Sequence, residues 1–291
     1  MNRVIVFGSI NLDLVTKVKS HPHPGETVMG SSYQMLPGGK GANQALAAAK
    51  AMDKAADVLL VGATGQDDFG KLALSNLQSA GVDLSCIANT KSGTGIAMIA
   101  VNEFGENNII VCSGANAEAS ADQLSSIVFE PGDILLTQQE TQLDEIWQAH
   151  SMAKASNVTV VHNAAPAGEI PSKAFKNIDY LIVNESEALS MSAKLSLGVE
   201  SAEQSAKDIS NQTDTSVILT LGKNGAFSVN NSVQRTFAAP TVEAVDTTGA
   251  GDVFCGTFAA ALATGVPQHT AIEKSLVQAS EACLTFGAQS N

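Results

Sequence analysis

Six short apolar runs punctuate the chain: VIVFG at 4–8, DVLLVG at 57–62, DILLT at 133–137, VTVVHN at 158–163, YLIVN at 180–184 and SVILTLG at 216–222. Each is rich in β-branched residues and nearly continuous in its apolar character, the mark of a strand buried on both faces, and most are followed by a helix-like stretch. That rhythm predicts an α/β fold, a doubly wound, mostly parallel sheet flanked by crossover helices. Ligands of such sheets sit beyond the carboxyl ends of the strands, so the polar residues just past each run are the first candidates for chemistry. Two segments break the rhythm. Residues 12–35 and 95–113 alternate apolar and polar positions, as in IAMIAVNEFGENNIIVC with Gly105 at a turn, which predicts strands exposed on one face. We expect one domain over residues 1–291, with these strands forming a small projecting sheet that covers a site as a lid or pairs with a second subunit. An exposed edge carrying Ile96, Met98, Ile109 and Val111 is otherwise an aggregation liability.

Composition narrows the function classes. With 44% hydrophobic and 15% charged residues the chain is globular, and its formal net charge of −13 argues against a nucleic-acid or anionic-membrane surface. A small anionic ligand remains allowed, because the field inside a pocket matters more than the total. Cys86, Cys112, Cys255 and Cys283 form no CxxC pair and suggest neither a zinc site nor a disulfide framework. The opening MNRVIVFGSINLDL has no basic segment and apolar core of a secretory signal, and no apolar run approaches the ~20 residues of a membrane span. The expectation is a soluble, cytoplasmic protein.

The glycine-rich turns carry the candidate chemistry. GQDDFGKL at 65–72 approximates a P-loop but places Leu72 where a magnesium-binding hydroxyl is needed, and Asp67 and Asp68 where phosphate would be repelled. It is expected to be a strand-to-helix loop. In VDTTGAGDVFCGTFAAAL, Gly249 and Gly251 allow a tight turn into a helix whose first N–H groups form an anion site. Asp252 there has a plain reading as a helix cap. A carboxylate inside an anion site also suits a base that takes a proton from a hydroxyl attacking a phosphate. PGGKGANQALAAAK at 37–50 supplies glycines, Lys40 and Asn43, which read separately as a flexible connection and a cap. Together they offer close backbone approach, a cation and an amide, a set suited to a polyhydroxylated ligand. Asn11 and Asp13, Gln139 and Glu140, and Asn184 and Glu187 follow predicted strands at one edge of the sheet.

GSINLDL, PGGKGANQA, GQDDFG, GIAMIAVNEFGENNIIVCSGANA, NAAPA, VNESEA, TLGKNGA, DTTGAGD and GAQ, in that order over essentially the whole chain, resemble the ribokinase-type family of sugar and nucleoside kinases. DTTGAGD with GGKGAN is the specific pair. The resemblance implies ATP-dependent phosphorylation of D-ribose at its 5-hydroxyl, with Asp252 as catalytic base and Gly249, Ala250 and Gly251 as the anion hole. It places Asn11, Asp13, Gly38, Gly39, Lys40, Asn43 and Glu140 at the sugar. Asn184 and Glu187 match the motif that organises Mg2+ and the ATP phosphates, and Thr220, Gly222 and Gly225 the nucleotide loop. A potassium ion is implied at Asp246 and Thr248, with Ala282, Thr285, Gly287 and Asn291 from the final segment. A homodimer through the lid strands is implied as well.

The sequence departs from the family at Leu276, where a polar residue bordering adenine is expected, and in having its last potassium position at Asn291, from which we expect weaker potassium binding. Another acceptor, deoxyribose, fructose or a nucleoside, stays open. So does a sugar-binding regulator without turnover, although an intact Asp252 speaks against it.

Overall fold

The computed structural model describes residues 2–289. All six apolar runs are strands of one nine-stranded sheet: β1 (Val4–Phe7), β4 (Val58–Gly65), β8 (Ile134–Thr137), β9 (Thr159–Asn163), β10 (Tyr180–Asn184) and β11 (Ser216–Thr220). They are parallel, and β1 lies between β4 and β8, with Val6 opposite Leu60 on one side and Leu136 on the other. Alternate residues of β1 feed the two faces. Val4 and Val6 pack with α1 (Lys40–Ala51), α6 (Ala250–Ala263) and α7 (Gln268–Ala282), whereas Ile5 and Phe7 pack with α3 (Leu143–Ala155). A third apolar cluster joins α4 (Glu185–Lys194) and α5 (Ala202–Thr213) to β10 and β11. With both faces covered, near-continuous apolar character is what these strands require.

Three further strands complete the sheet. β5 (Asp83–Thr90) adds in parallel beside β4, and β12 (Ala226–Asn230) with β13 (Val233–Phe237) adds an antiparallel hairpin beside β11. The strand order is β13-β12-β11-β10-β9-β8-β1-β4-β5. The chain therefore builds outward from β1 through β4 and β5, then returns to β8 and builds the other way. The crevice past the ends of β1 and β8 is the topological switch point, where ligands of open α/β sheets bind.

The alternating segments form a second, four-stranded sheet in the order β3-β2-β6-β7: β2 (Asn11–Lys17), β3 (Tyr33–Gly38), β6 (Gly95–Val101) and β7 (Asn107–Cys112). The strands reach beyond residues 12–35, since β2 starts at Asn11 and β3 runs to Gly38, directly against α1. Met98, Ile109 and Val111 are 39%, 52% and 54% exposed, but Ile96 is half-buried rather than exposed. GQDDFGKL is a strand-to-helix loop as expected. Asp67 caps α2 (Asp68–Ala80) by accepting from Gly70 N–H at 2.9 Å, and it also accepts from Thr94 N–H at 2.8 Å. Among the described residues no helix is long and apolar enough to cross a membrane.

Candidate active site

The switch-point crevice collects the polar groups. Past β1, the Ser9 hydroxyl donates to Glu140 Oε2 at 2.6 Å, and the Lys40 N–H at the start of α1 donates to the same oxygen at 3.0 Å. Glu140 thus sits at the positive end of α1. Asn116, brought in by the segment after β7, donates to Asn11 Oδ1 at 2.7 Å and accepts from Ile10 N–H at 2.8 Å, which fixes the Asn11 side chain. Gly38 backs onto Asp13, whose Oδ2 a Cβ would approach to 2.5 Å, and Gly39 caps α1 at φ 88, where a side chain would meet the Asn11 nitrogen at 2.7 Å. The two glycines let the lid strands and α1 converge on one point. Burial, reinforced by Glu140 and Asp252, pushes the Asp13 carboxyl up to about 6.

Asn43 is not a cap, because α1 already begins at Lys40. Asp252 is not a cap either. Gly249, at φ 79, occupies the N-cap of α6, and Asp252 turns both oxygens toward α1. Asn43 Nδ2 donates to Oδ2 at 2.9 Å and Gln44 Nε2 donates to Oδ1 at 2.9 Å. The alanine-rich faces of α1 and α6 make this possible: a Cβ at Gly256 would collide with the Gln44 carbonyl, so the two helices touch at backbone distance. The first N–H groups of α6 carry the positive end of the helix, that of Ala250 making only a long 3.3 Å bond back to Thr247 O.

A cavity of about 140 Å³ lies against these groups, lined among others by Lys40, Asn184, Glu187, Gly249, Gly251 and Asp252. Thr220 and Gly251 also line a cleft of about 460 Å³ whose walls include Gly222, Gly225, Phe254 and Leu276. The cavity beside Asp252 therefore opens, past Thr220 and Gly251, onto a largely apolar cleft. Leu276, 5% exposed, gives that cleft an apolar wall where a polar residue was expected. Asn184 and Glu187 form a reciprocal capping box on α4, Glu187 Oε2 accepting from Asn184 N–H at 2.8 Å and Asn184 Oδ1 from Glu187 N–H at 2.9 Å. Burial raises the Glu187 carboxyl above its ordinary value. For Lys40, burial opposes the charge, yet Asp252, Glu140 and Glu187 outweigh it and raise its pKa, so the ammonium persists in the site.

Beside this cavity Asp246 Oδ1 accepts from Thr248 N–H at 2.9 Å and Oδ2 from Gly287 N–H at 2.9 Å. Burial would raise the Asp246 carboxyl, but these bonds prevail and hold it below the usual range. Val245 N–H donates to Cys283 O at 2.8 Å, and Ala282 O takes long 3.4 Å contacts from Thr285 N and Oγ1. The loop before α6 and the segment after α7 thus meet around one carboxylate and several neutral oxygens. Asn291 lies outside the described residues.

Sequence reasoning missed Ser9, Gln44, Asn116, Gln138 and Gln289. Ser9 and Gln138 had a signal, since they follow β1 and β8. Gln44 stands next to Asn43 and reads as one polar position in an alanine helix, and Asn116 and Gln289 lie far from their partners in the chain.

Comparison with known proteins settles the family. The model of the pfkB family carbohydrate kinases matches residues 1–291. The chain belongs to the pfkB family of carbohydrate kinases. It is 35% identical over 294 residues to the ribokinase of Bacillus subtilis, covering 99% of this chain and 95% of that protein. It is 29% identical to the deoxyribokinase of Salmonella typhi, covering 99% and 94%. The structure of Thermotoga maritima ribokinase superposes with a TM-score of 0.89 at 33% identity, covering 99% of this chain and 95% of the other. Arabidopsis thaliana ribokinase, complexed with ribose and ATP, gives 0.87 at 28% identity and the same coverage. The family and the fold expected from the motifs are both borne out, and the protein is a carbohydrate kinase.

Proposed function

We propose that the protein transfers the γ-phosphoryl group of ATP to the 5-hydroxyl of D-ribose, giving ribose 5-phosphate and ADP, as one domain with a lid. The observation that carries this is the position of Asp252: buried, held by two amides, and lining one cavity with Lys40, Glu187 and, at the start of α6, Gly249 and Gly251. In the reaction Asp252 takes the proton of the 5-hydroxyl while the hydroxyl oxygen bonds to the γ-phosphorus and the bridging bond to ADP breaks. The N–H groups of Gly249, Ala250 and Gly251 receive the charge on the transferring group, and Lys40 offsets it. Asn11, Asp13, Gly38, Gly39, Lys40, Asn43 and Glu140 supply donors and acceptors for the remaining hydroxyls. Two carboxylates in that pocket disfavour a sugar already carrying phosphate. A coupled ADP-release assay with ribose, deoxyribose, fructose and nucleosides tests the reading. Ribose gives the highest kcat/KM. Sugar binding without ADP release would instead support a regulator.

Among the described residues no cluster of three acidic, histidine or cysteine side chains is able to hold a metal. Glu187 nevertheless fits Mg2+, because only one of its oxygens serves the capping box and Mg2+ bound with ATP draws most of its ligands from phosphates and water. When bound, Mg2+ neutralises phosphate charge, and Asn184 and Glu187 orient it. Asp246, Thr248, Ala282, Thr285 and Gly287 fit a monovalent cation, with one carboxylate among neutral oxygens. Such an ion would hold the Gly249 loop in place. Replacing sodium or choline by potassium at constant ionic strength therefore raises the initial rate, and equal rates would mean the site is irrelevant here.

Glu140→Ala and Asp13→Ala raise the KM for ribose roughly tenfold or more, as expected for lost hydrogen bonds to a charged group. The KM for ATP stays nearly unchanged. Because Asp13 titrates at about 6, ribose KM also rises as the pH falls through that value. Asp13→Asn removes this inflection. A mutant with normal ribose KM and impaired ATP KM would place the two sites the wrong way round.

One face of the projecting sheet carries Tyr33, Met35, Met98 and Ile110 at 72%, 43%, 39% and 62% exposure, an apolar surface that a second such sheet would cover. A homodimer at micromolar concentration is the expected mass by light scattering. A monomer would remove the lid from the interface.

A further inference from the structure

Both oxygens of Asp252 are met by side-chain amides, and each of those amides is oriented by another. On one side Asn43 Nδ2 donates to Asp252 Oδ2 at 2.9 Å, Gln289 Nε2 donates to Asn43 Oδ1 at 2.9 Å, and Asn76 Nδ2 donates to Gln289 Oε1 at 3.2 Å. On the other, Gln44 Nε2 donates to Asp252 Oδ1 at 2.9 Å and to Asn163 Oδ1 at 3.1 Å, while Gln138 Nε2 donates to Gln44 Oε1 at 2.7 Å. A carboxylate only accepts, so it demands the N–H end of Asn43 and of Gln44. Those two must then present oxygen to their outer neighbours, which must answer with nitrogen. The result is two rows of amide dipoles, all aimed at one carboxylate. Gln44, Asn43, Gln138 and Gln289 are 0%, 8%, 1% and 8% exposed, so water does little to screen the rows.

Gln138 keeps this orientation although its own Oε1 is buried without a hydrogen-bond partner among the described residues. A free choice of rotamer would not pay for that, so the orientation answers to Gln44. Neither Gln138 nor Gln289 touches Asp252. Each reaches it through one intermediate amide, and the two come from distant parts of the chain, the loop after β8 and the segment after α7.

We propose that Gln138 and Gln289 are positioning residues for phosphoryl transfer, which act through Gln44 and Asn43 to hold donors on both oxygens of Asp252 and so fix the carboxylate toward the attacking hydroxyl. The proposal rests on Asp252 being the base. Its distinctive feature is polarity. An isosteric methionine at 138 or 289 removes the outer donor but leaves the inner amide free to keep its N–H on Asp252. A glutamate of the same size, once ionised at the higher pH at which the variants are compared, offers only acceptor oxygens, turns the inner amide around and brings its oxygen against the carboxylate.

The test compares Gln138→Met with Gln138→Glu and Gln289→Met with Gln289→Glu, measuring kcat, the KM of each substrate and the melting temperature. The expected result is a kcat lower by roughly tenfold or more in each glutamate variant than in its methionine counterpart, the scale of a lost hydrogen bond to a charged group. For the Gln138 pair the ribose KM differs by less than about threefold, since neither Gln138 nor Gln44 is placed at the sugar and a factor of that size is below one net hydrogen bond. Equal kcat within each pair, or a difference confined to KM, would overturn the proposal, because a role in packing alone is blind to polarity. If Gln138→Glu fails to fold, the Gln289 pair decides, its site lying at the edge of the fold. Asp252→Asn separates the two levels: near-normal turnover there removes the base itself, whereas an inactive Asp252→Asn with matched glutamate and methionine variants removes only the amide rows.

Discussion

Asp252→Asn folds, binds ribose and loses roughly 10²- to 10⁴-fold in kcat, the share of a positioned general base. The substitution keeps the shape of the side chain and the junction between α1 and α6, and it removes the one function that an amide lacks, acceptance of a proton. Asn43 and Gln44 then face an amide rather than a carboxylate, so one of the two bonds at 2.9 Å is lost or turned. That loss touches stability modestly, because Asn retains an acceptor for the other. Steady-state kinetics with a melting curve check the outcome. Turnover near that of the parent would end the assignment of Asp252 as base, whatever the state of the sugar site.

Acid destabilises the protein well above the range in which ordinary carboxylates protonate. Behind β8, the Thr137 hydroxyl lies 2.8 Å from His150 Nε2 and 2.9 Å from His162 Nδ1, with the Trp147 ring centroid 5.4 and 5.3 Å from the two imidazoles. Both histidines are fully buried. Burial pushes His162 down to about 3, and burial together with the neighbouring imidazole pushes His150 well below its ordinary value. In the unfolded chain each titrates near 6.5. Their contribution is therefore complete above 6.5 and is lost as the pH falls toward the folded values, since only the unfolded state takes up the protons. Each pH unit in that window costs about 1.4 kcal/mol for His162, or about 3 kcal/mol at pH 4.5, and His150 adds to the loss in the same direction. Asp13 works in the opposite direction, because its folded pKa of about 6 exceeds the ordinary carboxyl value, and it returns at most about 2 kcal/mol over the same interval. With both histidines titrating in this sense against Asp13 and Glu187, whose carboxyl burial also raises, the expected net change is a loss of stability as the pH falls. Urea unfolding between pH 7.5 and 4.5 should show a falling midpoint, with a shallower fall in His162→Leu. A flat midpoint would mean that the pair is reached by water and protonates in place.

In the main sheet the strands legible in the sequence were those buried on both faces, where position leaves an unbroken apolar run, and the second sheet was legible from its alternation. β5, β12 and β13 escaped notice because they lie at or near the sheet's edges: DLSCIANT and VQRTF alternate with exposed polar residues, and the hairpin between β12 and β13 turns at Asn231, φ 48, without glycine. The motifs likewise marked which loops carry the site, since glycine at 39 and 249 is required by the backbone itself. What they left open was the facing of side chains. Asn43 and Asp252 both look like helix caps in one dimension, and only the contact of α1 with α6 turns them toward each other. Gln289 is 246 residues from Asn43, and no local pattern announces their pairing.

Asn11, the first residue of β2, and Gly38, the last of β3, are register partners, so if the projecting sheet acts as a lid it pivots on the rung that bears the proposed sugar ligands Asn11 and Gly38. A lid pivoting there moves most at its outer strands and least at the pocket, like a lever whose short arm ends on the substrate. In a pair of chains joined lid to lid, the long arms would be shared. Occupation of one pocket would then bias the tilt of the other lid, and ribose saturation would become sigmoidal, with cooperativity arising from the hinge position alone.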